Sequence, residues 1–114
     1  MRTLIIINDP PYGTERLYNG LRLALALLKR GAEVDVFLMG DAVGGAKRGQ
    51  KTADGYYNIE RMLRRVASQG RVLLCGVCID ARGIAIEEVV EGAQRSSMDA
   101  LAEATEQAGK VLVF

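Results

Sequence analysis

The sequence predicts an α/β fold: a mostly parallel sheet with helices on both faces. Three observations predict it. Short, continuous apolar runs recur as "TLIII", "EVDVFLM", "RVLLC" and "KVLVF", the pattern of strands covered on both faces. Segments of helical periodicity separate these runs, as parallel neighbours require of their crossovers. The chain has 114 residues, the usual size of one domain, so a single core over residues 1–114 is expected.

Each element has its own signal. "TLIII", residues 3–7, is the first strand, and Pro10 with Pro11 ends it. Thr14 reads as a helix N-cap with Glu15 in the first turn, after which Leu17, Leu21, Ala24, Leu25 and Leu28 recur at helical spacing. Tyr18, Arg22 and Lys29 take the opposite side. Gly31 stops this helix, and residues 33–39 form the second strand. The stretch "GDAVGGAKRGQKTADG", residues 40–55, carries five glycines and exceeds the usual median of about 4–6 residues for a connection. It reads as a functional loop or a subunit contact. Ile59, Met62, Leu63 and Val66 then form a helical stripe with Arg61, Arg64 and Arg65 facing away, closed by Gly70. "RVLLC" is the third strand, and "IAIEEVVEGAQRSS" is expected to hold a short helix and a turn. Met98, Leu101, Ala102, Thr105 and Ala108 mark a last amphipathic helix before the final strand, "KVLVF".

Composition narrows the function. The formal net charge is +1, which disfavours direct nucleic-acid binding or a membrane-surface partner. No apolar run approaches the roughly 20 residues of a membrane span, and "MRTLIIIND" lacks a signal-peptide core and cleavage site, so a cytoplasmic location is expected. The chain has no histidine. Ser-His-Asp and Cys-His triads and histidine-ligated metal sites are thereby excluded. With no tryptophan and few aromatics, stacking platforms for single-stranded nucleic acid are not expected either.

Ligands of open α/β sheets bind beyond the carboxyl ends of the strands. That rule selects "NDPPYGT", the 40–55 stretch and "CGVCIDARG". Phosphate cradles fail on spacing: Ala46 stands where a P-loop lysine would, Arg48 follows Lys47, and no GxGxxG is present. Zinc needs four ligands, and two thiols do not supply them. A structural disulfide across so short a loop restrains the unfolded chain little, and the cytosol would reduce it. A thioredoxin-like dithiol site fits a CxxC after a strand, but both prolines lie upstream and no tryptophan precedes Cys75. Cysteine is also a small hydrophobe that often fills core. Against that stands its place at a strand's carboxyl end, where loop amides and Arg82 could stabilise a nucleophilic thiolate. Arg82 has the alternative of pairing with Asp80. Tyr12, Gly13 and Thr14 either line the crevice or simply form a turn and cap.

"PYGTERLYNGLRLALALLKRGAEVDVFLMGDAV", "LLCGVCIDARGI" and "SSMDALAEATEQAGKVLVF" resemble, in order and spacing, the DsrE/DsrF-like sulfur-relay family, including its TusD-type carriers. The likeness covers nearly the whole chain. It implies a flavodoxin-like three-layer α/β sandwich, assembly into homotrimers or homohexamers, and a cysteine that carries sulfane sulfur as a persulfide between donor and acceptor proteins, with no cofactor and no metal. The carrier position, at the end of the third strand before "RG", matches Cys75. Cys78 has no counterpart in those carriers, which leaves open whether it resolves the persulfide. The resemblance then assigns Cys75 to the chemistry, with Cys78 as the second candidate. Asn8, Tyr12, Gly13, Thr14, Gly76, Val77, Arg82 and Gly83 are expected around the substrate, with Arg82 and the amides of Gly76 and Val77 lowering the thiol pKa. Tyr56, Tyr57, Ile84 and Ile86 are candidates for a subunit contact.

Overall fold

A computed structural model describes residues 2–114. Strands β1 (Arg2–Ile7), β2 (Glu33–Leu38), β3 (Arg71–Cys75), β4 (Ala93–Ser96) and β5 (Lys110–Val113) alternate with helices α1 (Arg16–Lys29), α2 (Ile59–Gln69), α3 (Gly76–Ala81) and α4 (Met98–Gln107). The strands form one sheet in the order β4-β3-β2-β1-β5, with every pair parallel. The three-layer α/β sandwich is the expected one.

Alternation along the strands divides the core in two. On one face Ile5, Ile7, Val36 and Leu74 pack with Leu17 and Leu21 of α1 and Leu63 and Val66 of α2. On the other, Leu4, Phe37, Leu73 and Cys75 meet only Leu101 and Ala104 of α4. A fully buried large apolar side chain contributes about 1.5–3 kcal/mol. The first cluster is far larger, so the hydrophobic stabilisation is concentrated beneath α1 and α2, and α4 is a lightly anchored cover.

Four expectations change. The first half of the 40–55 stretch is a 3-10 segment, Gly40–Ala46, with Ala42, Val43, Gly45 and Ala46 buried; small residues let it lie close against Leu17 and Ile59. Where a short helix and turn were expected, a 3-10 turn at Ile86–Glu88 precedes β4. β4 carries no apolar alternation because it is an edge strand, defined by its backbone ladder to β3 from Val72↔Ala93 to Cys75↔Ser96. The buried stripe of α4 is Leu101 and Ala104, while Met98 stays 61% exposed. At the start of α1, Glu15 occupies the N-cap position. Thr14 still contributes there: its hydroxyl accepts from the Arg16 amide at 3.3 Å and donates to Asp9 at 3.0 Å.

Two polar contacts fix the frame. Asp35, fully buried in the central strand, receives a bidentate pair from Arg71 (2.8 and 2.7 Å) and a third bond from Arg2 (3.0 Å). Burial alone would raise its pKa, but the two guanidinium groups outweigh that and hold the carboxyl below its ordinary value. Tyr12 has a left-handed backbone, φ 66°, which costs a non-glycine residue about 1–2 kcal/mol. Its hydroxyl donates to Gln50 and accepts the Ile59 amide at 3.0 Å. Its ring stacks on Tyr57, which stacks in turn on Tyr18. Tyr12 therefore clamps the loop before α2.

Asp35→Asn should lower stability by about 3 kcal/mol at neutral pH in urea unfolding, the lower end of the range for breaking a buried pair because both arginines keep solvent contact. A depressed carboxylate pKa stabilises above its unfolded value and loses that contribution as pH falls through the folded value. The difference between wild type and variant should therefore shrink below pH 3.8. Tyr12→Phe should cost about 1–2 kcal/mol by leaving the Ile59 amide without its acceptor, read as a fall in urea midpoint at unchanged slope.

Candidate functional site

β3 ends at Cys75 and α3 begins at the next residue, so Cys75 occupies the N-cap position of a short helix and Cys78 lies one turn on. The expected cysteine loop is thus a helical turn. The backbone amides of Cys78 and Val77 and the Cys78 side chain are the groups that act electrostatically on the Cys75 thiol. Cys78 Sγ also accepts the amide of Gly40 at 3.1 Å. Gly40, at φ +57°, makes the turn after β2 that presents this amide, a conformation glycine adopts without a steric penalty. Both thiols are free, with Cys75 buried and Cys78 half-buried.

Burial is the largest influence on Cys75 and pushes its thiol up; the Cys78 side chain adds to this, while the two amides pull it down without prevailing. The resting group is a protonated thiol. This corrects the expectation of a lowered pKa. Arg82 does not supply the missing charge: its Nε and Nη2 bind Asp41 Oδ1 at 3.0 and 2.8 Å and its Nη1 binds the Cys78 carbonyl at 3.0 Å. Standing a turn beyond Cys78, it closes the end of α3 onto the 3-10 segment. Asp80 pairs with Arg95 instead, bidentately at 2.8 and 2.7 Å.

A cavity of about 470 Å³ opens beside the sulfurs at the carboxyl ends of β3 and β4. Cys75, Gly76, Val77 and Cys78 form one wall, Arg95, Ser96 and Ser97 the other, with Met39 and Met98 completing it. Four expected site residues are thus together. Asn8, Tyr12, Gly13, Thr14, Arg82 and Gly83 are not among the lining residues. Asn8 binds the Phe114 carbonyl through its amide at 3.0 Å and its side chain at 3.4 Å. Gly13 closes a turn onto Pro11, and Gly83 ends α3 with a bond to Asp80. Tyr12 and Thr14 serve the clamp and the start of α1.

Arg95, Ser96 and Ser97 were not anticipated, because β4 carries no apolar pattern; its register with β3, which sets Ser96 beside Cys75, is what brings them in. Met39, directly after β2, and Met98, at the start of α4, reach the cavity from their own elements. Ser97 has a legible role of its own, capping α4 by accepting the Ala100 amide at 3.2 Å. Of the residues expected at a subunit contact, Tyr57 is packed between Tyr12 and Tyr18 and Ile84 is buried, whereas Tyr56 and Ile86 are exposed. Among the described residues, no group of three or more potential metal-ligating side chains gathers, and no helix is long and apolar enough to cross a membrane.

Comparison with known proteins agrees over the full length. The chain is 42% identical to protein YchN of Escherichia coli (strain K12) over 116 residues, covering 99% of this chain and 98% of that one. It is 30% identical to the sulfurtransferase TusD of Salmonella typhi over 129 residues, covering 100% of both. The crystal structure of the E. coli ychN protein superposes with a TM-score of 0.92 at 42% identity, covering 100% of each chain. MTH1491 from Methanobacterium thermoautotrophicum shares the fold, with a TM-score of 0.76 at 16% identity over 96% of each chain. The DsrE/DsrF-like family model matches residues 1–114, and the chain belongs to that family.

Proposed function

We propose that the protein is a sulfur-relay carrier that holds sulfane sulfur as a persulfide on Cys75. The observation that carries this reading is the placement of Cys75: at the N-cap of a helical turn, in the wall of an apolar cavity. Family membership and the full-length similarity to a sulfurtransferase support it.

The chemistry is thiol exchange. The Cys75 thiolate attacks the outer sulfur of a donor persulfide; the new S–S bond forms as the donor's S–S bond breaks, and the donor leaves as a thiolate. An acceptor thiolate then attacks the outer sulfur on Cys75 and restores the Cys75 thiolate. No net oxidation occurs, and no metal or organic cofactor enters either step. Donor and acceptor are proteins presenting a cysteine on a slender segment, since Cys75 is only 8% exposed. The relay operates in the cytoplasm, from a homotrimer or homohexamer in which exposed Tyr56 and Ile86 contribute to subunit contacts. Direct nucleic-acid contact and a membrane have no part in this reading.

The placement of a second free thiol one helical turn beyond Cys75 favours one second reading, a dithiol reductase. In that role Cys78 attacks the inner sulfur of the Cys75 persulfide, forming the Cys75–Cys78 disulfide and releasing sulfide.

Intact-protein mass spectrometry after incubation with a persulfide donor separates the readings. Cys75→Ser should abolish the reducible gain of one sulfur, and Cys78→Ser should retain it. Transfer to Cys78 in the Cys75 variant would overturn the assignment, and loss of one sulfur with disulfide formation in the wild type would favour the reductase. Because burial raises the Cys75 pKa above that of an ordinary thiol, alkylation of Cys75 should rise about tenfold per pH unit from neutrality with no plateau at neutral pH; a plateau near pH 7 would show a thiolate at rest.

A further inference from the structure

The family reading leaves one question about this site: what holds the negative charge once Cys75 ionises or is loaded. The amides of the α3 turn do not outweigh burial, and Arg82 is committed to Asp41. Arg95 is the cation that lines the same cavity as both sulfurs.

Its placement depends on a specific close approach. A Cβ added to Gly76 would lie 2.9 Å from Arg95 Cζ and Nη2 and 3.0 Å from Nε, so the guanidinium lies flat against the first turn of α3 at the residue after Cys75. Glycine is the residue that leaves it this room. Asp80, four residues further on, grips the guanidinium from its outer side with a two-bond fork. Both partners are more than half exposed, and an ion pair so open to water contributes little by itself. Arg95 can therefore share its charge with a second anion.

We infer that Arg95 holds the anionic sulfur on Cys75 and that Asp80 tempers its charge. This rests on the relay reading for its purpose, since loading adds one S–S bond of about 2.0 Å and carries the anionic outer sulfur away from its buried position toward the cavity. The arrangement favours the charged sulfur where it must be nucleophilic. Asp80 keeps Arg95 oriented and prevents the empty site from being a strong standing attractor for anions.

A structural staple between β4 and α3 is the competing role, and the two roles predict different signs. Both Arg95→Gln and Asp80→Asn break the same ion pair, so a staple moves them the same way. An electrostatic role moves them oppositely. The readout is the rate of Cys75 alkylation by iodoacetamide as a function of pH, in a Cys78→Ser background so that one thiol reacts. No sulfur donor is needed, so failure of the relay reading leaves this measurement intact. The other ionisable groups on the surrounding elements are Arg82, Asp41 on the 3-10 segment, Asp99 in the first turn of α4, and Arg71 and Glu103 in the adjoining groove. Arg82 is paired with Asp41 and Arg71 with Asp35, and all stay constant through the series.

Arg95→Gln should slow alkylation at neutral pH by about tenfold, the equivalent of one pKa unit, and shift the profile to higher pH. Asp80→Asn should accelerate it and shift the profile to lower pH. Gly76→Ala, which displaces the guanidinium without removing its charge, should follow Arg95→Gln. Should Arg95→Gln fail to fold, Arg95→Lys, which keeps the charge and loses the fork, takes its place with a smaller slowing. Shifts in the same direction for Arg95→Gln and Asp80→Asn, or no shift with Arg95→Gln, overturn the inference.

Discussion

Every strand of this sheet runs the same way, and the rest of the structure depends on that constraint. Parallel neighbours cannot be joined by a tight turn, so each connection must travel back along a face of the sheet. All strand carboxyl ends are thereby gathered on one rim. The turn at Gly40 after β2, the cysteine turn after β3 and the Arg95–Ser97 segment where β4 passes to α4 lie far apart in sequence, yet converge on a single cavity. The central strand is fixed at its other end by Asp35, whose two arginines come from the flanking strands β1 and β3. That cluster anchors the amino-terminal rim while the cavity beside the cysteines occupies the opposite one.

The two faces of the sheet have different work. Beneath α1 and α2 lies the large continuous cluster, with the 3-10 segment packed into it. The α4 face is covered by a ten-residue helix contributing one leucine and one alanine to the buried cluster. Thin cover leaves room for a cavity beside Cys75, with Val77 and Met98 exposed at its edge. The site is therefore built where packing is lightest, against a sheet held rigid from behind.

Within the site, burial and charge act against each other. A sulfur as enclosed as Cys75 is kept protonated by the loss of water around it. The groups that oppose this are local: two amides of the first turn of α3, and a guanidinium brought alongside by a strand that is not adjacent in sequence. A buried thiol with these neighbours is protected from indiscriminate oxidation when protonated and nucleophilic when deprotonated. Cys78, whose Sγ accepts the Gly40 amide, ties the site to the end of β2.

The sequence by itself determined the α/β class, four of the five strands and the three longer helices, and it singled out the cysteine turn as the candidate site. These are encoded locally, in apolar runs, helical periodicity and the position of "CGVC" after a strand. β4 was illegible because an edge strand with Gln94 and Arg95 on it has no burial pattern to display; its identity lies in backbone pairing with β3. The same gap hid Arg95, and made Arg82, the arginine nearer in sequence, stand in for it. Tyr12 and Thr14 looked like pocket residues because they follow a strand, whereas their actual partners, Ile59 and Asp9, are set by how the loops meet. Only the tertiary structure decided which cation faces the sulfur, because charge acts through distance in space and the chain brings Arg95 to Gly76 across a strand register that no local pattern records.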